Sequence, residues 1–339
     1  MKNSSEYINS SVFRVNQKYT NLQNKTKELF FKCLDEGRSL EYFEKELNKI
    51  WGNLDRSFMQ KELAEYESII HENNMAMLQI QETTPKEARK TNNFFTMVAA
   101  AVILATEKKF TNYVKKDYKK TLKSYAYLDD KKNYLSKRVE TYNDEKVVPY
   151  HIKKTGEVRH VSMAAYNAMI HNTNMTRAAW NATLNDASWL GYKEFYIPYH
   201  SFSCPYCVAH QERRIPLSEV MEYVAEVDVK EAGYSSVQGD ILHPNCKCTL
   251  LIYDAAKKDK SKLTDFEKDE IYHTRQKMNT LTLEKSRIIT DMRIQERLGN
   301  MDEYDKLNQK RNKVNSQIRE LKSSLPTEEL QKQVVAINR

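Results

Sequence analysis

Cys204-Pro205-Tyr206-Cys207 and, farther on, His243-Pro244-Asn245-Cys246-Lys247-Cys248 place four of the chain's five cysteines within 45 residues. A Cys-x-x-Cys presents two thiolates on one tight turn, and a His-x-x-Cys downstream can close a tetrahedral site around a borderline-soft cation such as zinc. The spacing predicts a small module in which two knuckles pin the long loop between them. Five candidate ligands, Cys204, Cys207, His243, Cys246 and Cys248, compete for four positions. The repeated three-residue spacing favours Cys204, Cys207, Cys246 and His243, with Cys248 as second-rank or alternate ligand; an all-cysteine set is the other arrangement. A zinc filled by four side chains contributes folding energy and leaves no open position for substrate, so the pattern points to a structural metal.

Other chemistries use the same residue types. A redox Cys-x-x-Cys needs a lowered thiolate pKa and a βαβ setting, which the flanking sequence does not show. A nucleophilic cysteine needs an oriented histidine, and His200, His210 and His243 are near enough in sequence to be considered. An HNH-type nuclease needs an adjacent catalytic histidine motif, and no His-His or Asp-His pair occurs. No catalytic residue is assigned, and the chain is expected not to be an enzyme. Cys33 stands alone on a helical pattern, and Met1-Lys-Asn-Ser-Ser-Glu6 lacks the apolar run of a signal peptide. The expectation is a protein made in the cytoplasm whose clustered cysteines are thiolates, not disulfides.

Working outward, Lys193–Pro198 reads as a strand entering the first cysteine pair, and Thr249–Tyr253 as a strand leaving the second. Between them Arg213–Ser218 is extended and caps a helix over Glu219–Glu226, followed by a Gly/Ser loop through Gly239. Upstream, Val147–Val161 alternates apolar and polar residues around Thr155-Gly156, which predicts a hairpin. An Ala-rich helix then runs from Ser162 to Leu190 and stops at Gly191, with Met169, Met175, Ala179, Leu184 and Trp189 available for its core faces. Residues 146–254 are thus an α+β module.

The flanks read as helix. Of 339 residues 40% are apolar and 29% charged, mean hydropathy is -0.75, and only seven glycines and seven prolines occur, so long helices are the expected default. Residues 1–145 carry apolar residues at helical spacing, broken at Gly37 and Gly52, and Thr84-Pro85 opens another long helix. Its apolar run Phe94–Ala105 falls short of the roughly 20 residues a membrane span needs and is expected in a core. The net charge of +8 is too small to declare a nucleic-acid binder. Its distribution says more: between Lys108 and Arg138 eleven Lys/Arg face three Asp, interleaved with tyrosines. Lys115, Lys116, Lys119, Lys120 and Lys123 are candidate contacts to DNA phosphates, with tyrosines stacking on bases. The bland alternative is a solvated helix face with its tyrosines turned inward. Residues 255–339 return to charged helix, with Leu307, Val314 and Leu321 seven apart, Ile318 between, and a turn at Leu298-Gly299-Asn300; two heptads are too few for an extended coiled coil. The predicted fold is mainly α, with long N- and C-terminal helical regions flanking a small α+β module stapled by a Cys/His zinc site.

The middle third resembles the minor capsid protein 2 family of tailed phages, related to the Mu F-like head proteins. The likeness runs through Thr155-Gly-Glu-Val-Arg-His-Val-Ser162, Tyr166 and Asn172-Thr173, then Tyr199-His-Ser-Phe-Ser-Cys-Pro-Tyr-Cys207, Gln211-Glu-Arg-Arg-Ile-Pro-Leu-Ser218 and His243-Pro-Asn-Cys246-Lys-Cys248. Two positions depart: the family commonly has Arg-Thr at Asn172-Thr173, and a glycine at Glu212. The resemblance implies a low-copy structural protein of the virion, in the capsid interior or at the portal vertex, assembled in the host cytoplasm. Its implied partners are the major capsid protein, the portal protein and packaged double-stranded DNA, with membrane contact only an option during genome delivery. A DNA-binding accessory protein and an enzyme or toxin-like effector using the Cys/His cluster are the alternatives.

Overall fold

The computed structural model describes residues 4–78, 93–142, 148–151, 158–200, 203–225, 246–253 and 263–325. It is mainly helical, with a small three-stranded sheet beside a cysteine cluster, as the composition and spacing predict.

Three helices open the chain: α1 (Ser4–Asp35), α2 (Leu40–Gly52) and α3 (Ser57–Leu78). Gly37, at φ 63°, turns the chain out of α1, and the Ser39 hydroxyl caps α2 by accepting from the Tyr42 amide. Next come α4 (Asn93–Tyr125) and α5 (Lys131–Thr141), the latter capped by the Asp130 carboxylate, which accepts from the Asn133 amide. The start of that long helix predicted at Thr84-Pro85 lies outside the described residues. A hairpin follows, β1 (Val148–His151) paired antiparallel with β2 (Val158–Val161), and the turn predicted at Thr155-Gly156 also lies outside the described residues. Helix α6 (Met163–Leu190) begins on the Ser162 cap and ends at Gly191, φ 78°. The cysteine region contributes β3 (Glu194–Tyr196), α7 (Pro205–Val208), β4 (Arg214–Pro216), α8 (Leu217–Ala225) and β5 (Leu251–Ile252), with β3 central and antiparallel to both neighbours. The predicted strand at Thr249–Tyr253 pairs over two residues only, for a reason that lies in the site. Helices α9 (Asp265–Leu298) and α10 (Met301–Ser324) form the predicted hairpin, with a Thr264–Glu267 capping box and Gly299 at φ 73°.

Helix α6 is the axis of the molecule: 17 of its 28 residues are buried, too many for a surface helix with one apolar stripe. Its first half joins a core built by α1, α2, α4, α5 and the end of α9, where Tyr118 stacks on Phe43 with ring centroids 4.0 Å apart. Its middle packs Met175, Ala178 and Ala179 against Ile8, Tyr66 and Ile70 of α1 and α3. Its last third carries Trp180 into the core around the cysteines. Of the residues predicted for its core faces, Met175 and Ala179 are fully buried, whereas Trp189, two residues before the cap, is 44% exposed and is corrected to a surface residue. Leu307, Ile318 and Leu321 pack with Val314 against Leu281, Ile288 and Met292 of α9, as their spacing predicts.

Within the apolar run of α4 the described residues divide: Ala99 and Ile103 are buried in the core, while Leu104 is 48% exposed. No helix among the described residues is long and apolar enough to cross a membrane.

Candidate metal centre

The Cys-Pro-Tyr-Cys turn is built by its own backbone. Cys204 sits at the N-cap of α7 with Pro205 in the first helical position, where no amide is needed, and the Cys207 and Val208 amides both donate to the Cys204 carbonyl. The two sulfurs are thereby held 3.3 Å apart on the same side. The second knuckle arrives from Cys246-Lys247-Cys248, where the Cys248 amide donates to Cys246 Sγ at 3.4 Å.

The sulfurs of Cys207, Cys246 and Cys248 all lie within 4.8 Å of one another, and Cys204 adjoins Cys207. Sulfurs about 2.3 Å from a tetrahedral zinc stand roughly 3.8 Å apart, and Cys207 Sγ to Cys246 Sγ is 3.8 Å. All four cysteines are free thiols and at most 8% exposed. Hydrogen bonds with Cys204, Cys246 and Cys248, then burial, push the Cys207 thiol far above its ordinary range. Such crowded sulfurs ionise together only around a cation, which deprotonates coordinating thiols. The cluster can therefore hold a metal ion. His243 lies outside the described residues; Cys248, expected as the alternate ligand, stands inside the cluster.

The surroundings were not anticipated. Helix α6 presents a polar ladder at Asn172, Thr176, Trp180 and Thr183, one residue per turn. Asn172 Nδ2 and Thr176 Oγ1 both donate to the Cys246 carbonyl, Trp180 Nε1 to Cys248 and Thr183 Oγ1 to Leu250, at 2.7–2.8 Å. These bonds satisfy carbonyls that a neighbouring strand would otherwise take, which is why pairing begins only at Leu251. The spacing was visible in the sequence, but small polar residues in an Ala-rich helix read as surface. Gln211 Nε2 donates to Cys248 Sγ at 3.2 Å.

Positive charge gathers nearby. Arg275 of α9 is 2% exposed and pairs with Glu6 at 3.3 Å. Burial lowers Lys247 to about 8, which leaves it mostly charged at neutral pH, and lowers His200 to about 4, which leaves that ring neutral. Cations beside a thiolate cluster offset the surplus negative charge that several sulfurs leave on one divalent ion.

Glu212, where the resembled family commonly has glycine, is the one non-glycine residue at positive φ (57°) among the described residues. Its amide donates to the Ile197 carbonyl at 2.8 Å, and its carboxylate accepts from Lys268 Nζ of α9 at 2.9 Å. Lys268 in turn lies 4.9 Å from the Tyr199 ring centroid. His210, considered as a partner for a nucleophilic cysteine, instead bonds the Tyr223 hydroxyl at 2.8 Å.

The lysine stripe divides from its tyrosines. Lys116, Lys119, Lys120 and Lys123 are exposed and Lys115 half-buried, whereas Tyr118 and Tyr125 face the core, so these two cannot stack on bases. Tyr127, at 89% exposure, remains outside.

No family model, curated protein or solved structure matches this chain.

Proposed function

We propose that this chain is a structural minor head protein of a tailed phage, whose middle region is fastened by a zinc ion bound to Cys204, Cys207, Cys246 and Cys248. The observation that carries the reading is the convergence of the two cysteine motifs, the same motifs that bear the family resemblance, into one buried sulfur cluster. Zinc is the cation best suited to tetrahedral thiolate ligands with no redox demand. Burial and a closed ligand set favour fastening over catalysis, which needs an open coordination position.

The test has two parts. Elemental mass spectrometry should find about one zinc per chain, lost in Cys207→Ser and Cys246→Ser together with thermal stability; full stability and unchanged metal in both variants would end the structural-zinc reading. Mass spectrometry of purified heads should recover the chain at low copy beside capsid and portal proteins. Its absence from finished and immature heads alike would end the capsid reading.

A second reading, contact with packaged double-stranded DNA, is favoured by Lys116, Lys119, Lys120 and Lys123 lying exposed along one helix. It is compatible with the first, the lysines serving as a phosphate-facing surface of a head protein.

A further inference from the structure

A cavity of about 230 Å³ lies between α3, α4 and α6, away from the cysteines. Met59, Ala100 and Ile103 give it apolar walls, and Arg56, His171 and Asn174 supply polar groups. His171 and Asn174 are 2% and 6% exposed. The Asn174 carboxamide makes no hydrogen bond to any described residue, so a donor and an acceptor stand at an otherwise apolar hollow.

The other two polar groups are already fixed. His171 Nε2 meets the Ser11 hydroxyl at 2.7 Å, and Ser11 also donates to Glu62. That trio is no nucleophilic relay: the serine is fully buried and its proton goes to the carboxylate, so its effect is to hold the imidazole in place. Arg56 is neutralised by Glu107 at 2.6 Å, and Glu107 also accepts from Tyr19 at 2.7 Å. The cavity therefore offers hydrogen bonds without surplus charge.

We propose that this cavity binds a small uncharged molecule with an aromatic or short apolar body and a hydroxyl or carbonyl head, the head bonded to Asn174 with His171 beside it. An engineered apolar cavity of about 150 Å³ holds benzene, so this one accommodates roughly ten non-hydrogen atoms. Specific small-molecule sites share this plan of apolar walls and a few convergent polar groups.

The test uses the full chain, thermal shift and ligand-observed NMR, with p-cresol and p-xylene as probes of equal shape that differ in one hydroxyl. Both should bind, p-cresol about five-fold more tightly, the effect of one added hydrogen bond. Asn174→Leu keeps the volume and removes the amide; it should erase that five-fold preference while p-xylene binds as before. Ala100→Phe should fill the hollow and abolish both, and if that variant melts early the leucine variant decides alone. Absence of binding by the unaltered chain overturns the proposal, as does a p-cresol preference that survives Asn174→Leu. Binding that survives a well-folded Ala100→Phe overturns it equally, because the probes then sit elsewhere.

Discussion

Replacing Glu212 by glycine sets two effects of opposite sign against each other. The left-handed backbone at φ 57° costs a residue with a Cβ about 1 kcal/mol that glycine does not incur. The carboxylate, however, lies 2.9 Å from a lysine whose side chain is only 8% exposed, its own exposure being 14%. Removing one partner of a buried pair leaves an uncompensated charge at about 3–5 kcal/mol. Asp265, 3.6 Å from the same ammonium but 86% exposed, recovers little of this, which sets the loss near about 3 kcal/mol. Glu212→Gly should therefore destabilise the chain by about 2 kcal/mol. Lys268→Met should cost a similar amount by stranding the glutamate. The double variant, with neither charge and no strain, should return to within about 1 kcal/mol of the parent or exceed it. Urea unfolding of the four chains with metal saturating, at unchanged slope, measures the cycle. Should Glu212→Gly alone match or exceed the parent in stability, the ion pair is worth less than the strain, and the latch between the knuckle and α9 is not energetic.

Three further outcomes follow from the same geometry. Trp180→Phe strips the Cys248 carbonyl of its donor and should cost about 1–2 kcal/mol, whereas Thr176→Val should cost less because Asn172 still serves the Cys246 carbonyl; the reverse order in chemical denaturation would contradict the ladder. His200 is held at about 4, below the ordinary value near 6.5, so the unfolded chain takes up a proton that the folded chain refuses. Its contribution is whole above pH 6.5 and drains as pH falls toward 4; His200→Gln should flatten that stretch of the stability profile, and an unchanged slope would refute the assignment. Charge reversal at Lys116, Lys119, Lys120 and Lys123 should shrink the salt dependence of duplex DNA binding by a log–log slope of about 3.6, and an unaltered slope would remove the DNA contact.

Much of this molecule was legible because its punctuation is local. Gly191 and Gly299 stop helices through their own left-handed backbone, Ser162 starts one through its own side chain, and each signal acts within a turn of itself. The sulfur cluster was legible because spacing on a tight turn fixes where two thiols point. What stayed hidden depends on partners far away in sequence. Trp180 and Trp189 share a residue type and a helix, and only the arrival of Cys248 separates the buried one from the exposed one. Tyr118 lies inside because Phe30 and Phe43 of earlier helices stand opposite, although Lys115, Lys116, Lys119 and Lys120 crowd around it in sequence.

The segment Cys246–Ile252 shows why the metal region and the helical core should fold as one unit. Its carbonyls are taken by α6, the Thr249 hydroxyl meets Tyr66 of α3 and Ser4 of α1, and the Ile252 amide donates to Asn74 of α3. Only Leu251 and Ile252 have a strand partner within the module. Without the helices these polar groups would be buried unpaired, each at about 1–3 kcal/mol, so the segment has no stable form apart from them. Conversely, α6 buries Asn172, Thr176, Trp180 and Thr183 because this segment accepts their hydrogen bonds, so releasing it leaves four donors unmatched in the middle of the core. Chelation should then lower the stability of the whole chain in a single transition, rather than melt the cysteine region and leave an intact helical domain behind.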